Sequence, residues 1–177
     1  MRGRGTRSLA VAAVAAVLAS CASSPDPVYP GGGNAVYTGG EPNWRAAPTY
    51  GTVNLSSGFT PDPYLRSIQA GGSNEVTLGG SECTGYIHAA APDLDLNYQA
   101  GQYQLSIYAK SDSDITLIVN AADGRWYCSD DYSGTNPAIL FTNPPSGNYN
   151  IWIGTYRPSS NPLPESVLYI SEMAPRW

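Results

Sequence analysis

From Gly51 onward the chain runs in short stretches of alternating apolar and polar residues, broken about every ten positions by Gly, Pro, Asn, Asp or Ser. Alternation at period two gives an extended strand one dry face, and turn residues at that spacing leave no room for helices of ordinary length. Tyr103, Leu105, Ile107 and Ala109 fall on one face, opposite Gln102, Gln104, Ser106, Tyr108 and Lys110. Ile115, Leu117 and Val119 alternate in the same way with Asp114, Thr116, Ile118 and Asn120. The pattern predicts strands at 52–55, 64–69, 85–89, 94–98, 103–109, 114–120, 126–129, 138–142, 149–155 and 166–171. Gly and Pro together supply 34 of 177 residues, tyrosines number 13, and long Ala/Leu/Glu/Lys stretches are missing, so composition points to the same class. The expectation is an all-β antiparallel sandwich over residues 51–177. A short echo, Gly101 to Ile107 against Gly147 to Ile153, suggests equivalent strands in facing sheets.

Ahead of that domain the chain reads differently. Arg2, Arg4 and Arg7 precede an Ala/Val/Leu run from Ser8 to Leu18, which fits the apolar segment of a signal peptide and is too short to span a bilayer. Leu18-Ala19-Ser20-Cys21 resembles the lipobox of bacterial lipoproteins. That resemblance implies residues 1–20 as a lipoprotein signal peptide, Cys21 as the lipidated first residue of the mature chain, and the membrane as a partner through the anchor. Ala22, where inner-membrane retention favours aspartate, implies the outer membrane. Residues 21–50 hold seven of the surrounding Pro and Gly-Gly breaks and no apolar periodicity, which predicts a tether of residues 21–50.

Cleavage before Cys21 removes three arginines and no acids, taking the formal charge from −5 to −8. With Lys110 as the only lysine, there is no basic stripe for a phosphate backbone, which excludes nucleic acid as a partner on charge. Once lipid takes Cys21, Cys83 and Cys128 remain as an even pair in an oxidising compartment, so a disulfide between them is expected.

The residues Gly101-Gln-Tyr103, Asp112-Ser-Asp114-Ile-Thr-Leu117, Asp123-Gly124, Cys128-Ser-Asp130-Asp131, Asn136-Pro137, Phe141, Ser146-Gly147-Asn-Tyr149 and Gly154-Thr-Tyr156 follow one another in a recognisable order. In that order the span resembles the bacterial pre-peptidase C-terminal domain family. The resemblance implies a jelly-roll-like β-sandwich of eight or nine strands with a non-catalytic accessory role. This chain differs in standing behind a lipobox and in carrying Cys83 and Cys128.

Four features are candidates for chemistry or binding. Asp112, Asp114, Asp123, Asp130 and Asp131 lie in adjacent connections, and hard oxygens in turns are what Ca²⁺ takes; the competing reading is ordinary turn formation by Asp and Asn. The single histidine, His88, sits in Tyr86-Ile87-His88-Ala89-Ala90 without a nucleophile elbow. Glu82, Asp93 and Asp95 offer carboxylates, but nothing in their spacing selects a catalytic pair. Tyr108, Trp126 and Trp152, with Ile118 and Tyr127, include positions opposite the expected core face and form a candidate binding platform for a glycan or an envelope protein. The expected function is a non-enzymatic, lipid-anchored envelope binding module for a protein, glycan or ion; the alternative is a hydrolase or an accessory subunit of a secreted peptidase.

Overall fold

The computed structural model describes residues 40–78, 84–159 and 161–177. Eleven strands lie among them and no helix: β1 (Thr52–Ser56), β2 (Tyr64–Gln69), β3 (Asn74–Thr77), β4 (Thr84–Ile87), β5 (Leu94–Gln99), β6 (Leu105–Lys110), β7 (Ile115–Asn120), β8 (Trp126–Ser129), β9 (Ala138–Phe141), β10 (Gly147–Thr155) and β11 (Glu165–Ser171). They form an all-β sandwich of a seven-stranded and a four-stranded sheet.

The longest strand, β10, organises the larger sheet. Its Gly147–Ile151 half pairs with β5 and its Asn150–Thr155 half with β7, so at Asn150 and Ile151 both edges are taken. β1 extends the sheet beyond β5 as a parallel neighbour, and β8 extends it beyond β7 as a hairpin partner. The smaller sheet runs β2–β11–β6–β9, antiparallel throughout. Alternation then dictates the core: Leu94, Leu96, Leu105, Ile107, Ile115, Leu117, Val119, Tyr149, Ile151, Ile153, Leu168 and Ile170 meet between the sheets, all essentially without exposure. Of the echoed segments, Gly147–Ile153 lies within β10 while only Leu105–Ile107 of the other lies in a strand, β6 of the opposite sheet.

β7 is buried along its whole length, not on one face only. The cause is the β3–β4 hairpin, which touches β10 through a single bridge, Thr155 to Tyr86, and brings Val76 and Ile87 onto Ile118 and Trp152 on the outer face of the larger sheet. Glycine permits the close approach. A Cβ at Gly85 would stand 2.3 Å from Thr116 Oγ1, and one at Gly154 2.6 Å from the same oxygen. β3 itself is absent from the strands expected from sequence, since Asn74-Glu75-Val76-Thr77 offers a single buried apolar residue to an edge position.

Between β5 and β4 the edge of β10 lacks a strand partner, and a side chain fills the gap. Asp93 N–H donates to Ile151 O at 2.8 Å, Ile153 N–H donates to Asp93 Oδ2 at 2.7 Å, and Gly71 N–H donates to Ile153 O at 2.8 Å. Asp93 is buried, and burial pushes its pKa up to about 7 against the opposing effect of the Ile153 N–H.

Three expectations are corrected. The domain begins before Gly51: Asn43 N–H donates to Ala89 O, Thr49 N–H to Pro92 O and Tyr50 N–H to Asp93 O, and Trp44 packs on the outer apolar cluster, so residues 43–50 are part of the sandwich and not tether. The sandwich has eleven strands and one parallel pair, where eight or nine antiparallel strands were expected. Tyr103 is exposed because β6 starts at Leu105 and the bend before it carries the ring outward.

Candidate functional site

The outer face of the larger sheet is divided in two. One half, Ile118, Trp152 and Cys128 directly opposite one another, lies under the β3–β4 hairpin and Trp44. Among the described residues no hairpin lies over the other half, which is polar apart from Trp126 at its border. Across five strands, Thr52, Asp95, Asn150, Asn120 and Trp126 stand in one row, each paired with the next in register. Beside it runs a second row, Asn54, Asn97 and Asn148.

These amides are ordered by one another. Asn148 Nδ2 donates to Asn97 Oδ1 at 3.0 Å, Asn97 Nδ2 donates to Asn54 Oδ1 at 2.9 Å, and Asn150 Nδ2 donates to Asp95 Oδ1 at 2.8 Å. Partial burial raises the pKa of Asp95, and the Asn150 bond opposes the rise. Where the polar half meets the covered half, Glu41, Trp44, Asn120, Trp126, Asn148 and Asn150 line a cavity of about 380 Å³. A second, of about 340 Å³, continues from Asn148 over Asn97 and Asn54. Trp126 is half-buried against Trp152, ring centroids 5.5 Å apart. Arg45 caps the Trp44 ring at 3.9 Å.

The five acidic residues do not assemble as one group. Asp114, Asp130 and Asp131 come together at the open end of the β7–β8 hairpin, with one carboxylate oxygen of each within 4.8 Å of the others. Asp114 Oδ1 and Asp130 Oδ1 are buried and have no hydrogen-bond partner among the described residues. Burial, then the charges of Asp131 and Asp114, pushes Asp130 up to about 6. Asp114 is raised by burial and by Asp131, with Arg157 opposing.

Asp123 sits in the turn at the other end of the same hairpin, separated from that trio by the six residues of β7 and so by ~20 Å. It accepts from Arg125 N–H at 3.0 Å and from Tyr127 Oη–H at 2.8 Å; burial works against these bonds and is outweighed, so its pKa falls. Asp112 is exposed and lines a different cavity with Lys110, Asn136 and Glu165. Asp112 and Asp123 therefore leave the candidate ligand set.

The aromatic platform expected from sequence is also redistributed. Trp152 is buried beneath the hairpin, its Nε1–H donating to Ala91 O at 2.7 Å. Tyr108 lies on the outer face of the smaller sheet and is buried under Tyr169, stacked at 4.8 Å, and the edge of Trp177. Trp126 is the ring of the three that lines the cavity beside the asparagine rows. His88 is exposed, with no side-chain hydrogen bond among the described residues. Cys128 lies on the outer face of β8 opposite Ile118; Cys21, Cys83 and Glu82 fall outside the described residues. The asparagine rows were not singled out from sequence, although a signal existed: Asn54, Asn97, Asn120, Asn148 and Asn150 all occupy outward strand positions, where asparagine is disfavoured. Comparison with protein-family models and with curated proteins finds no match to this chain.

Proposed function

We propose that the protein is a non-enzymatic binding module, held by a lipid on Cys21 at the outer membrane of a bacterial envelope, whose ligand face is the open half of the larger sheet. The observation that carries this reading is the pair of asparagine-lined cavities on a face whose other half is closed by the protein's own hairpin. A strand face with mutually oriented amides offers donors and acceptors at fixed positions. His88 stands apart from it, exposed in a turn. The Cys83–Cys128 disulfide belongs to the same reading, Cys128 being in the disulfide-bonded state and Cys83 immediately preceding β4 in sequence.

The deciding experiment sediments the purified mature protein with delipidated envelope material. Saturable co-sedimentation without release of soluble fragments is expected. Progressive solubilisation of the material would instead identify a hydrolase, and no co-sedimentation would remove the binding reading.

A second reading is favoured by the two orphaned oxygens: Asp114, Asp130 and Asp131 form a Ca²⁺ site that stiffens the corner of the sandwich. Millimolar calcium then raises the melting temperature relative to chelator, by about 2.7 kcal/mol of stability at one hundred times the dissociation constant. An unchanged melting curve, with magnesium as ionic control, leaves these residues as turn formers.

A further inference from the structure

We propose that the open half-face is a groove for a neutral polysaccharide laid across the strands, with Trp126 stacking on a sugar ring, Trp44 closing one end, and Asn54, Asn97, Asn148 and Asn120 reading hydroxyl groups. This rests on the binding-module reading and names the class of its ligand.

Each asparagine carries two N–H donors and one oxygen with two lone pairs. In the Asn148–Asn97–Asn54 chain each contact uses one donor and one lone pair, so every member keeps a donor and an acceptor facing solvent. The bonds within the chain fix which way each amide points, and a ligand meets an array already ordered. Sugars present adjacent hydroxyls that each donate and accept, and an amide row of this kind complements them. Five asparagines on one sheet face run against strand propensity, and departures from local preference concentrate where function demands them.

Asn120 supplies an independent sign. It is 92% buried, being only 8% exposed, it lines the cavity between Trp126 and Asn150, and its side chain makes no hydrogen bond among the described residues. Its amide atoms are not sealed from solvent, so they stay reachable from the cavity by an incoming hydroxyl.

Trp126 stands next to Asn120 in the same row, half-exposed at the cavity wall. An aromatic ring beside hydrogen-bonding amides satisfies the apolar C–H face and the polar rim of a sugar together. The row of five strands spans ~19 Å at the usual ~4.8 Å spacing, room for several sugar rings. Charge selects among glycans: Glu41 and Asp95 are the carboxylates at the groove, Arg45 is engaged over Trp44, and the mature chain carries −8. Polyanionic chains are therefore disfavoured.

The test is affinity electrophoresis of the mature protein through gels containing hydroxyethylcellulose, arabinoxylan, β-1,3-glucan, soluble starch or soluble chitin oligomers, with alginate as the polyanion. At least one neutral polysaccharide is expected to retard the protein. Trp126→Ala and the double variant Asn97→Ala/Asn148→Ala each weaken that retardation about tenfold or more, while Leu140→Ala on the other sheet leaves it unchanged. Asn97 and Asn148 are exposed, so the double variant keeps its melting curve even where Trp126→Ala, which removes a ring packed on Trp152, does not. Retardation by alginate alone, by no polysaccharide, or undiminished in the double variant would overturn the proposal. Should no polysaccharide bind while delipidated envelope still captures the protein, the ligand class fails and the binding module stands; failure of both removes the module as well.

Discussion

Asp93 shows how one residue couples the fold to pH. Its carboxylate takes the place of a missing strand carbonyl beside Ile153, and burial holds its pKa at about 7 against an ordinary 3.8. The folded chain therefore binds more protons than the unfolded chain between those values, and stability falls as pH rises from about 4 to about 7. The full difference is on the order of 4 kcal/mol. Asp93→Asn keeps an acceptor for the Ile153 N–H and cannot ionise, so its urea midpoint is expected to exceed the wild type's at pH 8 and to change little down to pH 5. Equal pH slopes for the two proteins would mean that Asp93 is not the titrating group. Nothing in the spacing around Pro92-Asp93-Leu94 announces this role, because the carboxylate matters only once β4 and β5 part company along β10.

At the scale of elements, the two-residue period was legible and the covering of faces was not. Ten of the eleven strands follow from alternation and turn residues, with Ile115, Leu117 and Val119 inward as expected. The same alternation marked Ile118 and Trp152 as outward, which is correct, and as exposed, which is not: the β3–β4 hairpin that buries them comes from a stretch with almost no apolar signal. The acidic residues were equally ambiguous, since adjacency in sequence put Asp123 with Asp130 while the hairpin sends them to opposite ends. Gly85→Ala tests the covering directly. The added methyl meets Thr116 Oγ1, and overpacking of this kind costs about 1–3 kcal/mol, read as a lower denaturant midpoint with an unchanged slope. At the acidic corner, Asp130→Asn removes a charge held against Asp114 and Asp131 and is expected to raise the melting temperature in chelator while abolishing any gain from calcium. A variant that still gains from calcium would place the ion elsewhere.

At the scale of the whole molecule, the proposed function needs a lipid anchor on Cys21 and a ligand face on the sandwich. Cys21→Ser is expected to abolish fatty-acid labelling and to release the protein from the outer-membrane fraction, since stable attachment needs the acyl chains. Recovery of the mature protein only in the inner membrane would contradict the sorting inferred from Ala22. The sandwich has two outer faces, and they differ in kind. One is the half-open asparagine face; the other, on the smaller sheet, carries exposed Leu65 and Leu140 around the buried Tyr108. The central claim is that binding belongs to the first. Co-sedimentation with delipidated envelope, measured for Asn97→Lys/Asn148→Lys beside Leu65→Lys/Leu140→Lys, tests it most directly: the account predicts loss of binding in the first pair with retention in the second, and retention in the first with loss in the second would contradict it.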